Sequence, residues 1–502
     1  MGLRSGLRHA RECALTRGTR MLLPRLLDDP PAARLALHHN HDTWTYATLA
    51  ALARAHAASL LDAGVAPGDH VAVWAAVTPE TVVALVANAL AGFVSVPLNP
   101  AAGARELEHV LRDAAPRVIV GEIPPERAGE APVTRVSMLP AQARARDFSP
   151  VAPEAPVLIL YTSGTTGAPK GAVLTHGAVA ANLDALARAW DWSPDDVLVH
   201  ALPFFHVHGL ALGLFGTLRH GASLRLLARF DPALVTRSLA GEGTMLFGVP
   251  TMYHRLVEHA ERSPEDARAL ARARILVSGS AGLPLREHRR VEALTGRGVL
   301  ERYGLTETLI NTAVRAREGA RPGYVGRALD GVSVRLVDDQ RRPIDARDDA
   351  TPGEVAVRGP NVFHSYLHRP EATQGARDAE GWFYTGDLAV MADDGAVRIL
   401  GRRATDLIKT GGYKVGAGEV ESALLEHPAV REAAVRGVAD DDLGERIEAW
   451  VVLREGQSVS SEALTDHVAS LIAWHKRPRR VHVVDALPRN AMGKVIKARL
   501  TP

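Results

Sequence analysis

The chain has 502 residues, 46% hydrophobic and 23% charged, which excludes wholesale disorder and leaves room for about three domains, or for a large catalytic domain with a small one. Lys and Arg number 59 against 57 Asp and Glu, and a formal charge of +2 argues against a nucleic-acid or polyanion binder. The single cysteine, Cys13, can form neither an intramolecular disulfide nor a thiolate metal cluster, which fits a reducing, cytoplasmic setting.

The first 27 residues hold Arg4, Arg8, Arg11, Arg17, Arg20 and Arg25 against one acid, Glu12, so the net positive charge belongs to this segment. It reads as a basic, disordered extension, or as a start placed too early with Met21 as the true one. An Arg-rich, acid-poor start also has the composition of a transit peptide, which makes an organelle matrix the alternative location. From Thr43 elements alternate. Trp44–Tyr46 reads as a strand, Leu49–Ala63 as a helix stopped by Gly64, His70–Ala75 as a strand, and Pro79 as a helix start. No stretch is long and apolar enough to span a bilayer; Val82 to Leu98 reads as a buried helix running into a buried strand. Arg117–Val120, Val157–Tyr161 and Ile275–Val277 continue the strand–helix alternation, which predicts parallel sheets covered on both faces, an α/β class. Segment 120–155, rich in Pro, Glu and Arg, reads as a surface excursion.

From Gly331 the texture turns to strands and tight turns, with Val332–Val337, Glu354–Arg358, and a hairpin around Asp393-Asp394-Gly395. After the charged stretch Arg402–Asp406 the chain closes with helices at Glu419–His427 and Ser461–Ile472 and strands at Arg431–Val438 and Glu448–Leu453. The expected division is an extension (1–27), a core (28–401), a hinge (402–406) and a closing domain (407–502).

The densest chemical signal is Tyr161-Thr-Ser-Gly-Thr-Thr-Gly-Ala-Pro-Lys170-Gly171, behind an apolar strand. Hydroxyl donors, glycine-freed backbone N–H groups and a lysine suit a polyphosphate. No Walker A spacing can be aligned on it, and an ordinary Ser/Thr/Gly-rich surface loop is the other reading of the same residues.

This segment resembles the signature loop of the adenylate-forming superfamily, which comprises acyl-CoA synthetases, luciferases and adenylation domains. Further matches fall in that superfamily's order: Pro203-Phe-Phe-His206-Val-His208-Gly, Ser278-Gly-Ser-Ala-Gly282, Tyr303-Gly-Leu-Thr-Glu307, Tyr384-Thr-Gly-Asp387, Gly401-Arg402 and Pro488-Arg-Asn-Ala-Met-Gly-Lys494. The resemblance implies a large N-terminal domain of mixed and parallel sheets covered by helices, with a β-barrel-like subdomain, and a small mobile α+β C-terminal domain. It implies ATP, Mg2+ and coenzyme A, and two half-reactions through an acyl-adenylate.

The roles it implies are as follows. Lys494 bridges carboxylate and phosphate, and Glu307 with Thr166 holds Mg2+. Thr306 contacts the α-phosphate, and Thr162, Ser163, Gly164, Thr165, Thr166, Gly167 and Lys170 take the β- and γ-phosphates. Asp387, supported by Arg402, accepts from the ribose hydroxyls, and Ser280, Ala281 and Tyr303 line the adenine slot. His206, with Ser278, belongs to the acyl pocket. Lys409 and the Gly411-Gly412-Tyr413 loop serve the coenzyme A step. The hinge is one residue longer than the common pattern and lacks its lysine, which leaves the pivot residue open.

Before Tyr303, branches that take apolar acids carry glycine, whereas this chain has Glu301-Arg302. A long apolar tail would meet a desolvated cation there, while a short acid with a second carboxylate would meet a fork of donors. The alternative is an Arg302 turned outward to pair with Glu301. Glu301-Arg302-Tyr303-Gly304 with Gly411-Gly-Tyr-Lys414 resembles the malonyl-CoA synthetase branch, so malonate is expected, with methylmalonate tolerated. A different short acid, or a carrier-protein adenylation enzyme, is the rival expectation. Partners are expected to be small molecules, with no nucleic acid or membrane, and a monomer is favoured.

Overall fold

The computed structural model describes residues 21–27, 30–121, 134–136, 146–162, 169–403, 406–411, 413–489 and 495–501, with the backbone alone at 134–136, 407 and 414. Two large sheets with parallel centres dominate the N-terminal part. The first has seven strands, in the order Ser365–Tyr366, Lys170–Thr175, Pro156–Thr162, Val94–Leu98, His70–Trp74, Val118–Val120, Thr134–Val136. The second has nine and runs from Arg327–Ala328 through Thr312–Ala313, Leu300–Tyr303, Ile275–Ser278, Met245–Gly248, Val197–His200 and Ser223–Leu226 to Leu35–His39 and Asp42–Thr45. One core joins the facing sides of both sheets across a shared layer of helices, and smaller clusters cover each outer face.

The centre of that layer is the helix Pro79–Ala91. Thr78 caps it, its side chain accepting from Thr81 N–H, and proline fills its first position. Every residue but Glu80 is buried, and each fully buried Val or Leu contributes about 1.5–3 kcal/mol over exposure. Gly92, at φ +75°, turns the chain into the fully buried strand Val94–Leu98. Among the described residues no helix is long and apolar enough to cross a membrane.

Three expectations need correction. The helix expected at Leu49–Ala63 runs over Tyr46–Asp62, because Thr45 accepts from Thr48 N–H at 3.1 Å and caps it three residues earlier; the strand before it is Asp42–Thr45. The 120–155 excursion contains a strand, Thr134–Val136, which adds to the sheet edge beside Val118–Val120. The extension does not end at residue 27. Met21, Leu22, Leu23 and Leu26 are buried, and the buried Arg219 donates to the carbonyls of Met21 and Leu22 while pairing with Asp184 at 2.7 Å.

A five-stranded antiparallel sheet follows, carrying the expected hairpin between Phe383–Met391 and Val397–Arg402 with Gly395 at φ +81°. The smaller C-terminal domain has its own sheet around the long pair Val430–Asp440 and Gly444–Leu453, the helices Ala417–Leu425 and Ser461–Leu471, and a separate core. Where the two parts join, Asp406 Oδ2 accepts from Arg402 N–H at 3.0 Å, and Lys497 lies 2.8 Å from Asp406 and 2.7 Å from Glu421. Arg403 is anchored on Glu354 and Asp339.

Candidate active site

The last strand of the parallel run, Leu300–Tyr303, carries the residue expected at the acid. Neighbouring residues of a strand face opposite ways, so Glu301 and Arg302 separate. Glu301 accepts from Leu283 N–H at 2.9 Å and lies 2.8 Å from His288 Nε2, on the side of the helix Leu285–Thr295. Arg302 is buried on the other side, with no hydrogen-bond or ion-pair partner among the described residues, and its Nε is a buried orphan. Burial pulls its pKa down to about 10. The outward-turned Arg302 paired with Glu301 is therefore not what the chain adopts. The guanidinium lies so close to Gly279 that a Cβ there would sit 2.3 Å from Cζ.

One histidine, His208, lies near enough to feel the charge of this cation, and His200 and His206 lie near His208. His200 ends the strand Val197–His200, His206 lies in the loop after it, and His208 opens a π-helix over His208–Gly216. Both ring nitrogens of His200 and His208, Nε2 of His206 and the fully buried Oγ of Ser278 lack partners. Burial lowers the pKa of His200 and His206 to about 4 and holds that of His208 well below the ordinary histidine value, Arg302 adding to the effect on His208, so all three stay neutral at pH 7. The wide helix exists because its glycines admit neighbours: a Cβ on Gly213 would sit 2.5 Å from the His200 ring.

The residues expected at the nucleotide are held differently. Tyr303 donates its hydroxyl to Asp387 Oδ2 at 2.6 Å, and Arg402 Nε meets Asp387 Oδ1 at 2.8 Å, because residues 387 and 402 are register partners in the antiparallel sheet. Ser280, at φ +71°, and Ala281 are exposed. Glu307 is buried, follows the half-buried Thr306, and accepts from the Tyr366 hydroxyl at 2.8 Å. Tyr366 stands on the strand paired to Lys170–Thr175, and the Lys170 ammonium lies 5.2 Å from its ring centre. The structure so joins Lys170 and Glu307 through one tyrosine, and Thr162 is the register partner of Lys170. The second carboxylate oxygen of Glu307 has no protein partner among the described residues, which suits a hard cation sharing its other positions with phosphate and water.

Ser163, Gly164, Thr165, Thr166, Gly167, Gly412 and Lys494 lie outside the described residues. Lys409, Gly411 and Tyr413 make their contacts within the C-terminal domain. Lys409 N–H donates to Glu445 at 2.6 Å, Gly411 N–H to Leu443 O, and the exposed Tyr413 ring stacks on His475 at 4.0 Å. Tyr366, His200 and Gly279 are features that the sequence reading missed. The spacing His200, His206, His208 inside an apolar stretch was the signal open to it.

The AMP-binding enzyme family matches residues 27–367, and the AMP-binding enzyme C-terminal domain matches 419–494. Human mitochondrial malonate–CoA ligase is 38% identical over 84% of this chain and 80% of its own length. A malonyl-CoA ligase solved as a ternary product complex with methylmalonyl-CoA and AMP is 51% identical, covering 93% of this chain and 99% of its own, with a TM-score of 0.71. The ATP-bound MatB of Rhodopseudomonas palustris is 37% identical, covering 95% and 97%, with a TM-score of 0.87.

Proposed function

From the premise that the chain belongs to the AMP-binding enzyme family and is an AMP-forming acyl-CoA ligase using ATP and coenzyme A, we propose that its acid is malonate, with methylmalonate tolerated. The observation that carries this reading is the buried Arg302, which has no acid of its own. A buried guanidinium left unpaired is costly, and a carboxylate of the substrate is the partner that its planar fork fits. The neutral histidines and Ser278 Oγ can donate without adding charge, so the pocket accepts one distal carboxylate rather than a second phosphate. The relatives named for malonate and methylmalonyl-CoA support the same choice.

In this reading the proximal carboxylate faces the α-phosphate of ATP. Asp387, oriented by Tyr303 and Arg402, accepts from the ribose hydroxyls, and Ser280 and Ala281 border the adenine. Lys170, Thr162 and the loop 163–167 take the outer phosphates, Thr306 the α-phosphate, and Lys494 brings positive charge to the reacting oxygens. Glu307 with Thr166 would hold Mg2+, which when bound offsets phosphate charge. Lys409 and Gly411–Tyr413 serve the coenzyme A step. Positioning an anion against a polyanion is the central physical problem, and fixed cations solve it without reorganisation. The compartment is proposed as cytoplasmic, and removal of the Arg-rich start on import would overturn that in favour of an organelle matrix.

Acid-dependent ATP–pyrophosphate exchange tests the substrate across malonate, methylmalonate, succinate, acetate and butyrate, followed by coenzyme A-dependent AMP release. Malonate should give the highest kcat/KM. A higher value for a monocarboxylate would overturn the reading, and a higher value for succinate would replace malonate with another dicarboxylic acid.

A further inference from the structure

Away from the substrate pocket, a cavity of about 490 Å3 opens where the two domains meet, lined by Glu258, Glu261, Arg262, Arg286, Arg290 and Arg454. Its acids are already engaged. Glu261 takes a double contact from Arg290, at 2.9 and 2.6 Å, and Glu258 lies 3.2 Å from His254. Arg290 is satisfied by Glu261 together with Glu287. Three cations remain. Arg262 and Arg286 have no side-chain hydrogen bond or ion pair among the described residues. Arg454, which also lines the cavity, uses only Nε, donating to Pro428 O at 3.1 Å, and its outer nitrogens have no hydrogen-bond partner among the described residues.

These cations come from different domains. Arg286 sits in the first turn of the helix Leu285–Thr295 of the N-terminal domain, and Arg454 directly follows the strand Gly444–Leu453 of the C-terminal domain. Partial burial and the nearby Arg454 charge both pull the Arg286 pKa down, which marks a like-charge approach at a seam half withdrawn from water. At the same seam Arg289 and Glu426 approach to 3.8 Å, so contact of one sign faces contact of the other. A multivalent oxyanion between Arg286 and Arg454 would turn the repulsion into two charge-assisted contacts. An anion touching both domains in one arrangement must, by linkage, favour that arrangement.

We propose that this cavity is a binding site for a compact phosphate-class dianion, which bridges Arg286 and Arg454 and holds the C-terminal domain in the orientation seen here. The site lies outside the acid pocket and does not depend on which acid is the substrate. Inorganic phosphate and the reaction's own pyrophosphate share the required chemistry.

The test is calorimetric titration of the full chain with inorganic phosphate and, separately, with pyrophosphate. A non-hydrolysable ATP analogue saturates the nucleotide site throughout, and a dye pair, one on each domain, reports their separation. The unsubstituted chain should bind one anion and show its domains drawn together. Arg286→Ser and Arg454→Ser should each weaken binding about tenfold or more, the equivalent of ~1.4 kcal/mol or above, while Arg454→Lys keeps most of it. Arg454→Glu, which places a carboxylate opposite Arg286, should draw the domains together with no anion added and abolish the phosphate response. Tighter binding of pyrophosphate than of phosphate supports the proposal and assigns the ligand to the reaction product. Unaltered binding in both serine variants, or binding with no change in domain separation, overturns it.

Discussion

The two ends of the proposed substrate site handle charge in opposite ways. At the nucleotide end every acid arrives with an orienting partner: Asp387 is held by Tyr303 and Arg402, and Glu307 by Tyr366. At the acid end the one cation, Arg302, arrives without any, near His208, one of three histidines kept neutral by burial. Under the proposed function the difference follows from the guests. A ribose brings neutral donors and needs an acceptor locked in place, so pairing costs nothing on binding. A second carboxylate brings charge and needs a cation that nothing else has claimed.

The sharpest way to break this contrast is to remove the unclaimed cation. Arg302→Gly should lower kcat/KM for malonate by about 10- to 1000-fold, because a charge-assisted pair contributes about 1.5–3 kcal/mol and the stranded carboxylate costs more. Butyrate should gain relative to malonate in the same exchange assay. Unchanged malonate preference would move the role of reading the second carboxylate to His206. Arg302→Lys should be intermediate at best, since an ammonium lacks the fork.

A gentler break leaves Arg302 in the chain and displaces it. Gly279→Ala puts a methyl where the guanidinium lies, so malonate kcat/KM should fall about tenfold, on the scale of one misplaced contact, with ATP KM unaffected. A fall in ATP affinity instead would show that the backbone at 278–280 moved. At the other end, Glu307→Gln keeps the Tyr366 contact and removes the charge, so the Mg2+ concentration for half-maximal rate should rise several-fold. A variant with the same Mg2+ dependence would remove Glu307 from that role.

The smallest effect on rate is the largest on stability. His56, His176, His200 and His206 are held neutral by burial, with pKa values lowered to about 4. The unfolded chain then binds more protons than the folded one between about pH 4 and the ordinary histidine value near 6.5. The stabilisation is therefore complete above 6.5 and lost as pH falls through 4, on the order of 2 kcal/mol per histidine by pH 5. Thermal melts should drop steadily from pH 7 to 5, and His200→Phe should flatten that slope if it folds. A melt indifferent to pH over this range would mean that these rings reach water.

How much of this could be read beforehand differs between the same two ends. Motif residues such as Tyr303, Glu307 and Asp387 are legible because each lies in a short, ordered signature, and the α/β class because apolar runs alternate with helical spacing. Arg302 was legible as a candidate pocket residue, and strand alternation alone could have dismissed its pairing with Glu301. The approach of His200 to the π-helix His208–Gly216 was not, because it depends on Gly213, where a Cβ would strike the His200 ring. Tyr366 sits on a two-residue strand, too short to leave a periodic trace. The early start of the helix at Tyr46 is a capping effect of Thr45, which apolar spacing cannot register.

The tether at Arg219 sets where a shortened version of this protein can begin. Its guanidinium, almost wholly buried, spans Asp184 and the carbonyls of Met21 and Leu22, while Leu22, Leu23 and Leu26 fill the space around the short helix Pro24–Leu27. A recombinant chain trimmed to residue 28, where the basic composition ends, would strip those carbonyls from a buried cation and vacate three leucine sites, each worth about 1.5–3 kcal/mol. Trimming to residue 21 removes five arginines and leaves every one of these contacts in place.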